Sequence, residues 1–61
     1  MEGFYKHTKT GIIYKTLEIV QMKCPTTGNW ISGVLYFGTS NIFYVRSFED
    51  FNNKFEKVDL P

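Results

Sequence analysis

Sixty-one residues leave room for one domain with one core, and a chain this short buries only about 60% of the surface its unfolded form exposes. The apolar content of 43% is ordinary, but six Phe, four Tyr and one Trp supply large burial per side chain for this length. A net charge of +1 is too small to drive strong counterion-release binding to nucleic acid, and one Cys with one His excludes an internal disulfide and a four-ligand structural zinc site.

The first run, Gly3 to Thr8, is dense in aromatics and reads as a strand that stops at the turn signal Lys9-Thr10-Gly11. The second, Ile12 to Lys23, is too long for one clean alternation, because Ile12 and Tyr14 share one parity while Leu17 and Ile19 share the other. A bulge near Lys15 or Thr16 reconciles them, since one extra residue flips the face and bends the strand. Pro25-Thr26-Thr27-Gly28-Asn29 then turns the backbone into a third run, Trp30 to Phe37. That run is apolar on both faces, which places it centrally, and Gly33 suggests close approach of another backbone. Gly38-Thr39-Ser40-Asn41 leads into the fourth run, Ile42 to Arg46.

After Arg46 the period changes: Phe48, Phe51 and Phe55 fall at i, i+3 and i+7, with polar Glu49, Asp50, Asn52 and Lys54 between them. This predicts a short helix with a core-facing Phe stripe. Ser47 is its expected N-cap, and Glu49 and Asp50 suit the positive end of the helix dipole. Val58 and Leu60 predict a last edge strand, ended by Pro61. The expected fold is therefore mainly β: a small barrel or a strongly twisted antiparallel meander of four to five strands with a C-terminal helical turn, one domain over residues 1–61. Strands left open at an edge would also favour a homodimer.

No apolar run approaches the roughly 18 residues that span a bilayer, and Met1 to Lys6 lack the basic-then-apolar pattern of a secretory signal, so a cytoplasmic location is expected. Catalytic chemistry finds little support. The one Cys/His pair is Cys24 with His7, which nothing in the sequence brings together, and Cys24 reads as an inert thiol. Four of the six carboxylates fall in the helical tail at solvated positions, and no glycine opens a phosphate-binding helix, so neither a catalytic residue, a metal nor a cofactor is expected.

Binding is the better-supported class. Trp30, Tyr36 and Tyr44 cannot all be fully buried in so small a core, and exposed aromatics are the usual hot spots of interfaces. His7 reads first as a hydrogen-bonded edge residue and second as a pH-sensitive contact. Arg46 is placed either to pin the helix carboxylates or to offer its planar fork to a partner. These five residues, His7, Trp30, Tyr36, Tyr44 and Arg46, are the expected contact surface for a partner protein. The alternative is a nucleic-acid binder that tracks phosphates with Lys6, Lys9, Lys15 and Lys23 in the more basic N-terminal half.

Gly3-Phe4-Tyr5-Lys6-His7, Gly11-Ile12-Ile13-Tyr14 and Tyr44-Val45-Arg46 with Phe48 and Phe51 together resemble a short bacterial and phage family, domain of unknown function 1653, with its G-x-Y-x-H and W-V-R-P patterns. Tyr44 stands where that family usually has Trp, and Ser47 where it has Pro. The resemblance implies a small SH3-like β-rich fold without enzymatic activity and draws attention to Tyr5, His7, Tyr14, Tyr44 and Arg46. The small size and the family's distribution extend the expectation to a phage-borne modulator or inhibitor of a host factor.

Overall fold

The computed structural model describes residues 2–59. Five strands and one helix follow in the order β1 (Gly3–His7), β2 (Ile13–Lys23), β3 (Trp30–Phe37), β4 (Phe43–Ser47), α1 (Phe48–Lys54) and β5 (Phe55–Val58). All pairings are antiparallel, and the strands lie in the order β4-β3-β2-β1-β5. The sheet is open: β4 and β5 are its two edges among the described residues. The mainly β class expected, antiparallel strands with one short helix near the C-terminus, is the one present, and α1 takes the backbone from one edge of the sheet to the other.

Turn chemistry sets the hairpins. The amide of Gly11 donates to the His7 carbonyl at 2.7 Å and the amide of His7 to the Ile12 carbonyl at 2.9 Å, with Gly11 at φ 76°. Gly28, at φ 75°, closes the second turn in the same way, by donating to the Cys24 carbonyl at 2.8 Å. These left-handed conformations are cheap for glycine and costly for residues with a Cβ. Between Thr16 and Glu18 the β2–β3 register shifts, so the bulge falls on Leu17, just past the expected position. It keeps Thr16 facing inward, fully buried, with its hydroxyl donating to the Gly3 carbonyl at 3.2 Å.

Register separates two faces. Cross-strand neighbours Tyr5/Tyr14, His7/Phe55, Thr16/Tyr36, Tyr36/Tyr44 and Val34/Arg46 all lie on the face that α1 covers. The core forms there from Val34, Tyr36, Phe51 and Phe55, with Tyr5 and Tyr14 packed around it. Phe51 and Phe55 stack with ring centroids 4.2 Å apart and planes 5° from parallel. The opposite face carries Phe4, Ile13, Phe37, Phe43 and Val45 with Lys15 among them.

Ser47 caps α1 as expected, its hydroxyl accepting the Asp50 amide at 3.1 Å. The Phe stripe needs a correction. Phe51 is 0% and Phe55 6% exposed, but Phe48 is 43% exposed, because Phe55 already has extended backbone and opens β5, leaving Phe51 as the helix's single buried residue. Gly33 is also reinterpreted. Side chains rather than backbone approach it, with Met22 Sδ 2.8 Å and Val45 Cγ1 3.1 Å from where a Cβ would stand. The last strand begins at Phe55, three residues earlier than Val58; Leu60 and Pro61, expected to continue and end it, lie outside the described residues. No helix among the described residues is long and apolar enough to cross a membrane.

Candidate functional site

Arg46 organises the helix-covered face. Placed opposite Val34 on the edge strand, its side chain turns diagonally so that Nε donates to the Tyr36 hydroxyl at 2.9 Å and Nη1 to Asp50 Oδ2 at 2.8 Å. The Asp50 carboxylate is shared with Lys54, whose Nζ lies 3.3 Å from Oδ1. Arg46 thus does pin a helix carboxylate. Its hydrogen bond holds Asp50 below the usual carboxylate range, and the bonds to Asp50 and Tyr36 hold the guanidinium above its own ordinary value. The guanidinium carbon stands 5.6 Å from the centre of the Phe55 ring.

Around this anchor the strands deliver aromatic rings in sequence. Tyr14 from β2 and Tyr44 from β4 meet edge to face at 6.1 Å, and Tyr36 between them stacks on Tyr44 at 5.4 Å. His7, at the end of β1, meets Phe55 edge to face at 4.9 Å. Its Nδ1 accepts a long hydrogen bond, 3.4 Å, from the Thr10 amide, which assigns the proton of the neutral ring to Nε2. His7, Thr10, Tyr14, Tyr44 and Arg46 surround a cavity of about 260 Å³ whose floor is Tyr36 and Phe55.

Four of the five residues expected to contact a partner, His7, Tyr36, Tyr44 and Arg46, therefore converge on one cavity from three strands. Three expectations change. Tyr36 is 4% exposed, a core residue whose hydroxyl holds Arg46 rather than a free contact, because the ring is walled in by Tyr14, Tyr44, Phe51 and Phe55. Trp30 is 65% exposed but stands at the far end of the β2–β3 hairpin, with Lys23 Nζ 5.4 Å from its ring centre, and takes no part in the cavity. His7 is not an edge residue either, since β1 lies between β2 and β5. Thr10 and Phe55 were not among the expected site residues. Thr10 carries no sequence signal beyond its turn, and Phe55 is visible only as part of the Phe stripe.

The four lysines of the nucleic-acid alternative are spread over the sheet and its turns. Lys6 pairs with Glu56 at 3.1 Å, Lys15 stands 5.8 Å from the Phe4 ring centre on the opposite face, Lys9 sits in the first turn, and Lys23 is at the distant hairpin end. Cys24 follows the end of β2 remote from the turn that joins it to β1, and among the described residues it lines no cavity with His7. No three His, Cys, Asp or Glu side chains gather in a metal-binding arrangement among the described residues.

Comparison with protein-family models, curated proteins and solved structures finds no match to this protein.

Proposed function

We propose that this protein is a non-enzymatic binding module that docks a partner protein through the aromatic-polar surface around His7, Tyr44 and Arg46. The convergence of these side chains on one cavity carries the reading. Its volume of about 260 Å³ lies just below the roughly 300 to 1,000 Å³ typical of small-molecule sites, which favours a single side chain or a terminus of a protein over a whole cofactor. Tyr14 and Tyr44 supply rigid, amphipathic contact area, and Arg46 is already fixed in place, so little side-chain entropy is lost when a partner arrives. The resemblance and the protein's small size suggest the setting, a phage-borne modulator of a bacterial host factor acting in the cytoplasm.

The test is capture from bacterial lysate by the purified protein, beside Tyr44→Ala and His7→Ala variants confirmed folded by circular dichroism. The expected result is one protein recovered stoichiometrically, resistant to nuclease and lost in the variants. Recovery that vanishes with nuclease or modest salt overturns the reading in favour of nucleic-acid binding through the lysines.

A further inference from the structure

The chemistry of the cavity narrows what it accepts. Arg46 has two of its three nitrogens engaged, Nε with Tyr36 and Nη1 with Asp50, and Nη2 makes no hydrogen bond among the described residues. Those two bonds fix the plane of the guanidinium, so its remaining donors are held in a set direction, and Arg46 lines the cavity. His7, which also lines the cavity, has its Nδ1 occupied by the Thr10 amide, which leaves Nε2 to carry the proton of the neutral ring and adds a second donor.

Charge selects among the groups such donors attract. Arg46 and Lys54 share the single carboxylate of Asp50, so this cluster keeps one uncompensated positive charge, and no acidic side chain lines the cavity. One charge suits a monoanion. A phosphate dianion or a polyanion would need the further cations that the fold places elsewhere, on the opposite face and at the hairpin end. In Arg46, Nε and one of the two Nη1 hydrogens are used, so three N–H donors remain, and Nη2, alone or with the second Nη1 hydrogen, offers a carboxylate a charge-assisted bond. The rings of Tyr14 and Tyr44, in edge-to-face contact at 6.1 Å, form an apolar surface beside these donors.

Resting on the docking reading above, we infer that the group this cavity takes is a carboxylate carried by a partner polypeptide, held between Arg46 Nη2 and His7 Nε2 with its stem against Tyr14 and Tyr44. The carboxylate comes either from an Asp or Glu side group or from the partner's own C-terminus.

The experiment is an NMR titration of the protein, following the Arg46 Nε–H, His7 ring and Tyr44 ring signals. N-acetylglutamate α-amide presents a side-group carboxylate, N-acetylphenylalanine presents a terminal one, and the amides N-acetylglutamine α-amide and N-acetylphenylalanine amide are uncharged controls. Saturable shifts with at least one acid are expected, with its amide at least about tenfold weaker, the loss that one charge-assisted hydrogen bond carries. The stronger of the two acids identifies the source. Arg46→Lys is expected to weaken the acid by a similar factor; His7→Gln, which leaves the Arg46 network intact, keeps the test valid if the lysine variant folds poorly, and it too is expected to weaken the acid. Equal shifts with the amides, tighter binding of inorganic phosphate than of either acid, or no saturable shift with any probe each overturn the inference. Partner capture that survives such a result leaves the docking surface standing without the carboxylate. Carboxylate binding with no protein captured does the reverse.

Discussion

The Nε of Arg46 donates a 2.9 Å hydrogen bond to the hydroxyl of Tyr36, joining an edge strand to a buried ring. Tyr36→Phe keeps the ring packing and removes only the acceptor. Because Arg46 remains partly exposed and water can replace the lost partner, the expected cost is about 1 kcal/mol, near the middle of the range for a single hydrogen bond. For a domain of this size that lowers the melting temperature by roughly 4 to 8 °C. Heat denaturation followed by circular dichroism checks it, and an unchanged midpoint would mean that the bond adds no net stability.

The Phe stripe makes a sharper contrast. Phe51→Ala removes a fully buried ring stacked on Phe55 and is expected to cost about 3 to 5 kcal/mol, enough to unfold a domain this small. Phe48→Ala, at a residue 43% exposed, is expected to stay within roughly 0.5 to 1 kcal/mol of the parent. Urea denaturation of both variants decides the matter. Similar losses at the two positions would show that the helix presents a different face to the sheet.

That contrast also marks where sequence reading stops. Short runs of aromatic and β-branched residues between Gly- and Asn-containing turns were enough to locate four strands, and the parity break between Tyr14 and Leu17 led to the bulge within one or two residues. Those features are local, so local propensity exposes them. Phe48 and Phe55 differ only in tertiary placement: the helix ends at Lys54, and Phe55 is pulled into β5 by pairing with His7, 48 positions earlier in the sequence. The same limit applies to the site. His7, Tyr44 and Arg46 stood out one by one, but their convergence depends on the strand order β4-β3-β2-β1-β5, which no spacing in the sequence encodes, and Trp30 was separated from them by the same topology.

Acid should weaken the fold through Asp50. Its hydrogen bond from Arg46, assisted by Lys54, lowers its pKa below 3.8 in the folded protein, whereas the unfolded state returns to the ordinary value of about 3.9. A group depressed by folding stabilises the native state fully above its unfolded pKa, and that contribution is lost as pH falls through the lower, folded value. The stability difference between the parent and Asp50→Asn is therefore expected to be constant above about pH 5 and to shrink below about pH 4. Urea midpoints across this interval test it; a difference independent of pH would show that the ion pair does not survive in solution.

Cys24 sits where neighbouring hydroxyls favour its thiolate. At the entry to the β2–β3 turn its Sγ lies 3.2 Å from the Thr26 hydroxyl, and hydrogen bonds from Thr26 and then Thr27 stabilise the thiolate, lowering the pKa to about 6. A thiol held there is mostly ionised at neutral pH, so its alkylation by iodoacetamide is expected to rise through pH 6 and level off above about pH 7, whereas an ordinary thiol keeps accelerating past about pH 8.5. Thr26→Val removes the stronger donor and is expected to move the midpoint upward. A parent rate still climbing between about pH 8 and 9 would contradict the hydrogen-bonded geometry. Because Cys24 does not line the cavity, the alkylated protein is expected to bind its partner unchanged. Loss of capture on alkylation would instead extend the docking surface along the hairpin to the exposed Trp30.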